Sequence, residues 1–249
     1  MRLISYLGAA VVLLAVSAGV ARAQGAPTDR ARVSLNVGIQ PASASFTGTT
    51  TSTVYLEQAT INTTYRTPSG LLFDGGAVVR VAGNFGVGIA VSSFSKSQDA
   101  PVTGTIPHPF FFATLRPLSG TATGLQHRET AVHLQATYEL LFNRLSIVLA
   151  AGPSFFSVSQ DLVSDVSYTE VYPFDTVTFT SATTKKVTAS KVGFNVGADI
   201  GITLAPHVGV GALVRFSRAS VSFPLDGSAA GVDANAGGIQ AAAGLRLFF

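Results

Sequence analysis

The sequence predicts an all-β chain, an antiparallel transmembrane β-barrel of eight strands, preceded by a cleaved signal peptide. Three observations predict it. The chain is strongly apolar, yet beyond residue 23 it has no run of roughly 20 apolar residues of the kind a membrane helix needs. Its apolar residues recur with period two, as on the lipid face of a strand. The alternating segments are joined by connections that are tight and long in turn.

Composition sets the frame. Of 249 residues 47% are hydrophobic and only 12% charged, with 25 glycines and no cysteine. Mean hydropathy is +0.42. A soluble domain carries about twice that charge. The formal charge of +3 includes Arg2 and Arg22 in the targeting segment, so the mature chain is close to neutral and carries no basic face for nucleic acid. The absence of cysteine excludes disulfides, thiolate metal sites and an acylated lipoprotein cysteine.

The elements follow in order. Arg2, the apolar stretch Leu3 to Val20 and Ala21-Arg22-Ala23 have the pattern of a secretory signal peptide over residues 1–23. The mature domain then spans residues 24–249, with 24–31 as a short lead-in. Val33, Leu35, Val37 and Ile39 mark a first strand. Leu71, Phe73, Ala77, Val79 and Val81 mark a second, with Asp74, Gly76 and Arg80 on its other face. Phe85 to Val91 gives a third. Val132 to Leu140 gives a fourth, with His133, Gln135 and Glu139 facing in. Leu145 to Ala151, Val192 to Leu204, Val208 to Phe216 and Ile239 to Phe249 complete the eight.

Residues 82–84, 143–144 and 205–207 are tight connections, whereas 96–127, 159–186 and 224–233 read as long ones. Short turns belong on the periplasmic side and long loops outside, which orients the barrel with both ends in the periplasm. Within residues 47–69, Val54 to Tyr65 looks strand-like but would make the count odd. They are read as a hairpin-like extension of the first external loop, with a ten-stranded barrel as the alternative.

The last residues, Gly244-Leu245-Arg246-Leu247-Phe248-Phe249, alternate and stop on an aromatic. This ending resembles the assembly signal of outer-membrane β-barrels, in which a final Phe, here Phe249, is read by the barrel-assembly machinery. The whole mature chain resembles the porin-like outer-membrane β-barrel domain family, the small barrels with four external loops. The resemblance implies a Gram-negative outer membrane, export through the periplasm with its chaperones, and contact with outer-membrane lipid. Members serve as narrow pores, adhesins or structural anchors, and no family site residue carries across.

Chemistry is sparse. On the inward face the alternation places Asp74, Glu139 and Asp199 with Arg80, Lys191, Arg215 and Arg246. Charges inside a membrane barrel must be paired or hydrated, so the set is expected to form a salt-bridge plug, with an ion-conducting gate as the alternative. His133 is expected in a lumen hydrogen-bond network. Recurrent inward glycines make room for larger neighbours. The four histidines are scattered, no G-x-S-x-G string is present, and neither a metal, a cofactor nor an enzymatic activity is expected.

Phe110, Phe111 and Phe112, within Ile106-Pro107-His108-Pro109-Phe110-Phe111-Phe112, form the most unusual surface feature. They are either a contact patch or a loop folded back on the barrel rim. Two functions stand side by side: a plugged barrel with a structural or surface-interaction role, and a narrow conduit for small or hydrophobic solutes. A soluble barrel of the lipocalin kind would instead have an apolar interior and a polar exterior.

Overall fold

The computed structural model describes residues 30–41, 45–67, 69–223 and 232–249. The signal peptide expected over residues 1–23 and most of the expected long connection 224–233 lie outside the described residues. The described residues form ten strands: β1 Ala31–Gln40, β2 Ser45–Val54, β3 Glu57–Arg66, β4 Gly70–Ala82, β5 Phe85–Pro107, β6 Leu115–Phe142, β7 Leu145–Glu170, β8 Val177–Ala205, β9 Val208–Phe223 and β10 Val232–Phe248.

Eight of them close a ring. β1 pairs β4, and antiparallel neighbours then run β5, β6, β7, β8, β9 and β10 back to β1. The seam is in register from Arg32↔Phe248 to Ile39↔Ala241. At its base the Ala31 amide donates to the Phe249 carbonyl at 3.0 Å, and the Phe249 amide returns a bond to Ala31 at 2.8 Å. These eight are the strands expected from alternation. β2 and β3 form a hairpin outside the ring that joins the upper part of β5 through Thr60↔Thr105 to Thr63↔Val102. The ten-stranded alternative is therefore corrected: ten strands exist, but the barrel has eight.

Three two-residue turns lie at one end, at Gly83-Asn84, Asn143-Arg144 and Pro206-His207. Gly83 and Asn143 take the left-handed backbone such turns require, at φ 55° and 54°. At the other end the expected long loops 96–127 and 159–186 are corrected. β5 and β6 pair up to Pro107↔Leu115, and β7 and β8 up to Glu170↔Val177, leaving connections of residues 108–114 and 171–176 only.

A reversal of polarity explains the extensions. On β9 the exposed residues are Val208, Val210, Val214 and Phe216, and the buried ones include Arg215 and Ser217. Two residues further up, Arg218, Ser220 and Ser222 face water, while Ala219, Val221 and Phe223 are buried. The lower barrel thus turns apolar side chains outward to lipid, and the upper barrel turns them inward to a core. β8 keeps its outward apolar run from Val192 to Leu204, about 40 Å of strand, which at a tilt near 45° crosses about 28 Å. That matches the hydrocarbon thickness of a membrane.

The upper core gathers Ile61, Tyr65, Val102, Ile106, Leu118, Leu125, Phe156, Leu162, Val221 and Phe223. The β2–β3 hairpin closes over it. Tyr65 Oη accepts the Val163 amide at 2.7 Å, and Thr50 Oγ1 donates to the Val163 carbonyl at 3.2 Å. Both bonds fall beside a register shift in β7. Phe46 stacks on Tyr65, with ring centroids 5.0 Å apart.

Candidate functional site

Three levels of the interior, and then the far end, are built from side chains that alternation turns inward. At the level nearest the two-residue turns, the guanidinium of Arg246 on β10 grips Asp199 on β8 with two bonds, Nε to Oδ1 at 3.0 Å and Nη2 to Oδ2 at 2.6 Å. Its Nη1 donates to Asn36 Oδ1 at 2.6 Å, Asn36 donates to Asp74 at 2.9 Å, and Arg215 donates to Asp74 at 2.6 Å. On the other side Arg32 lies between Glu139, at 3.4 Å, and Asp199, at 3.8 Å, and donates to Ser146 at 2.9 Å. Arg80 completes the chain on Glu139 at 2.9 Å.

The structure brings together six of the seven charged residues expected inside, Asp74, Arg80, Glu139, Asp199, Arg215 and Arg246, and adds Arg32. Four guanidinium groups face three carboxylates, a net charge of one positive. Seven ring strands contribute, β5 being the exception. Glycines make the space: a Cβ on Gly211 would lie 2.9 Å from Arg246 Nε. Lys191 is a correction. It shares the inward face, but β8 and β9 part above Phe194↔Arg218, so its side chain is exposed and makes no ion pair among the described residues.

Above this chain His133 bonds Ser154 Oγ through Nδ1 at 2.7 Å and Ser92 Oγ through Nε2 at 3.0 Å. Asn195 donates to Ser154 at 2.9 Å and accepts from Gln135 at 2.7 Å. A third level holds His127 between Glu129, at 2.7 Å, and Gln160, at 2.6 Å. The Gly237 amide and Gln40 also bond Glu129. Phe94 lies edge-on to His127 and begins the apolar core.

What space remains is small. A cavity of about 40 Å³ lies between Asp74, Gln135, Asp199 and Arg215, room for isolated water. A vestibule of about 160 Å³ lies at the end that carries the two-residue turns, lined by Arg32, Arg80 and Glu139. Among the described residues no group of three or more His, Asp or Glu side chains is arranged to hold a metal ion.

At the opposite end three hairpin tips meet. Arg116 is buried there and donates to Glu170, to the Phe174 carbonyl at 2.8 Å and to the Pro107 carbonyl at 2.6 Å. Tyr55 donates to Glu170 at 2.6 Å, which pushes the Tyr55 hydroxyl up to about 12 because the neighbouring carboxylate favours its proton. Glu57 accepts the Ala113 amide at 2.8 Å. On this brace stand Leu56, Phe110, Phe111, Phe112 and Tyr172, all exposed. The fold-back alternative for the phenylalanines is thereby corrected: Phe110 packs edge-on against Phe174 of the next tip, and the three rings stay in water.

The comparisons with known proteins concern the fold. No family model matches the sequence, and no curated protein matches it significantly. Among solved structures, the outer membrane protease OmpT from Escherichia coli aligns over 92% of this chain and 99% of its own, at TM-score 0.50 and 10% identity. The outer membrane protein OprG from Pseudomonas aeruginosa aligns over 92% and 99%, at TM-score 0.48 and 10% identity. Neisserial surface protein A aligns over 88% and 97%, at 0.43 and 11%. The chain shares the β-barrel fold of the outer membrane protease OmpT. At such identities the likeness is one of fold, and the apolar belt independently marks the surface that meets lipid.

Sequence reasoning missed Arg32, because the first strand was begun one residue later. The period that turns Ser34 and Asn36 inward would have found it. It also missed His127 and the brace around Arg116 and Glu170, which lie in segments expected as loops, and Glu129, which falls between an expected loop and the next strand.

Proposed function

We propose that this barrel is a closed, non-enzymatic stalk that carries a contact surface at its outer end. The observation that carries the proposal is double occlusion: a continuous ion-pair chain fills the lower lumen, and an apolar core fills the upper one. An open pore would keep a wet path, and both levels oppose one. His133 and its serine partners could suggest a nucleophile, but His133 and Ser154 are fully buried between the two plugs, where no substrate reaches. Assembly through the machinery that reads a terminal aromatic, here Phe249, belongs to the same proposal.

The test is surface contact by intact cells. Bacteria displaying the barrel should adhere to target cells in a way that a variant with Phe110, Phe111 and Phe112 replaced by serine loses, at equal surface level. Adhesion identical in both strains would overturn the contact role.

A further inference from the structure

We infer that the outer tip binds a second lipid bilayer, inserting its aromatic and leucine side chains into a membrane opposite the barrel's own. This rests on the contact reading above and names the partner.

The surface is unusual in being made of protruding apolar knobs. Leu56 is 94% exposed, Phe112 83% and Tyr172 80%, one from each of the three tips. A protein partner would need a separate hole for each such side chain, whereas a fluid bilayer accepts protruding apolar groups without matching shape. The backbone beneath them is a second, independent observation. Tyr55 and Leu56 have φ of 51° and 67°, Ala113 has 59° and Phe174 has 73°. Two-residue hairpin turns of this hand favour Asn-Gly, and bulky residues there are outliers. All three tips thus hold non-glycine residues in a conformation that does not suit them, as binding sites do.

Charge then selects the kind of membrane. Residues 55–57, 108–116 and 170–176 contain Glu57, Glu170 and Asp175 against Arg116, a balance of one minus three, or minus two, and contain no lysine. Glu57 and Glu170 are turned into the brace. Nothing here attracts anionic lipid, so binding is apolar and suits a zwitterionic surface.

Height excludes the barrel's own membrane. From Val91, the last outward apolar residue of β5, to Pro107 the strand runs about 50 Å, which at barrel tilt lifts the tip about 35 Å above the belt. The brace keeps the knobs ordered before contact, so little freedom is lost on insertion.

The chain contains no tryptophan, so Phe112→Trp supplies a single reporter. Folded barrels in lipid nanodiscs, checked by heat-dependent gel mobility, are mixed with sucrose-loaded phosphatidylcholine vesicles and sedimented. Nanodiscs should co-sediment at both low and high salt. The tryptophan should shift to the blue and be quenched by brominated lipid, and each of Phe111→Ser and Phe112→Ser should weaken binding about tenfold. Folded barrels that stay in the supernatant, a tryptophan that stays in water, or binding that requires anionic lipid and vanishes with salt would each overturn the inference. If cell adhesion still depended on the three phenylalanines, that result would leave the contact role standing and remove only its lipid partner.

Discussion

Arg246 offers the sharpest test of the lower plug. Its side chain is fully buried and gives four bonds, two to Asp199, one to Asn36 and one to the Leu245 carbonyl. Arg246→Met removes the cation and keeps much of the volume. The interior balance falls from four against three to three against three, but among the described residues Asp199 is left with Arg32, at 3.8 Å, as its one ion-pair partner. Breaking a buried pair from one side costs about 3–5 kcal/mol. Asp199→Asn does comparable harm from the other side, since it leaves four cations against two anions. The double variant should cost at least about 1 kcal/mol less than the sum of the two, because neither charge is then stranded. The assay is urea unfolding in lipid vesicles, followed by the gel shift that separates folded from unfolded barrels. Strict additivity, or a cost for Arg246→Met below about 1 kcal/mol, would mean that the guanidinium sits in water and that the chain of pairs is no plug.

Three further outcomes are expected. Gly211→Val should abolish assembly of a heat-resistant barrel, because its Cβ would lie 2.5 Å from the Ile200 carbonyl oxygen and 2.9 Å from Arg246 Nε; a normal gel shift would contradict the packing. Leu56→Gly relieves a left-handed leucine and should raise stability by about 1 kcal/mol in the same urea assay, while Leu56→Ala should not. Tyr55 donates to Glu170, so its contribution to the brace is complete at neutral pH and is lost as pH rises through about 12. The absorbance titration of wild type minus Tyr55→Phe should show its step there, and a step near the ordinary tyrosine value of about 10 would mean that the bond is absent.

What the sequence made legible follows from where lipid is. In the membrane the outward face must be apolar and the inward face must hold the glycines and charges, so Val192 to Leu204 could be read directly and Asp199 placed inside. The upper barrel obeys the opposite rule. Ala100, Val102 and Ile106 alternate with Pro101 and Thr103, and Val158 and Leu162 with Ser159 and Asp161, as clearly as any membrane strand. Their outward face is Ser, Thr and Asp, however, a composition that by itself signals a loop. Partner choice inside the lumen lay beyond periodicity: alternation places Lys191 with Asp199, and only the parting of β8 from β9 removes it from the network. The tips were legible in part. Phe110 to Phe112 stood out by composition, whereas Leu56 and Tyr172 join them only because three hairpins rise to the same height.

The central claim is that the barrel is closed, and single-channel recording of the refolded protein in a planar bilayer tests it most directly. The account predicts silence from a demonstrably folded barrel, and continued silence from Arg246→Met and Glu139→Gln, because the apolar core above Phe94 remains in place. Reproducible unitary currents in the wild-type protein, altered when either charge is removed, would contradict it.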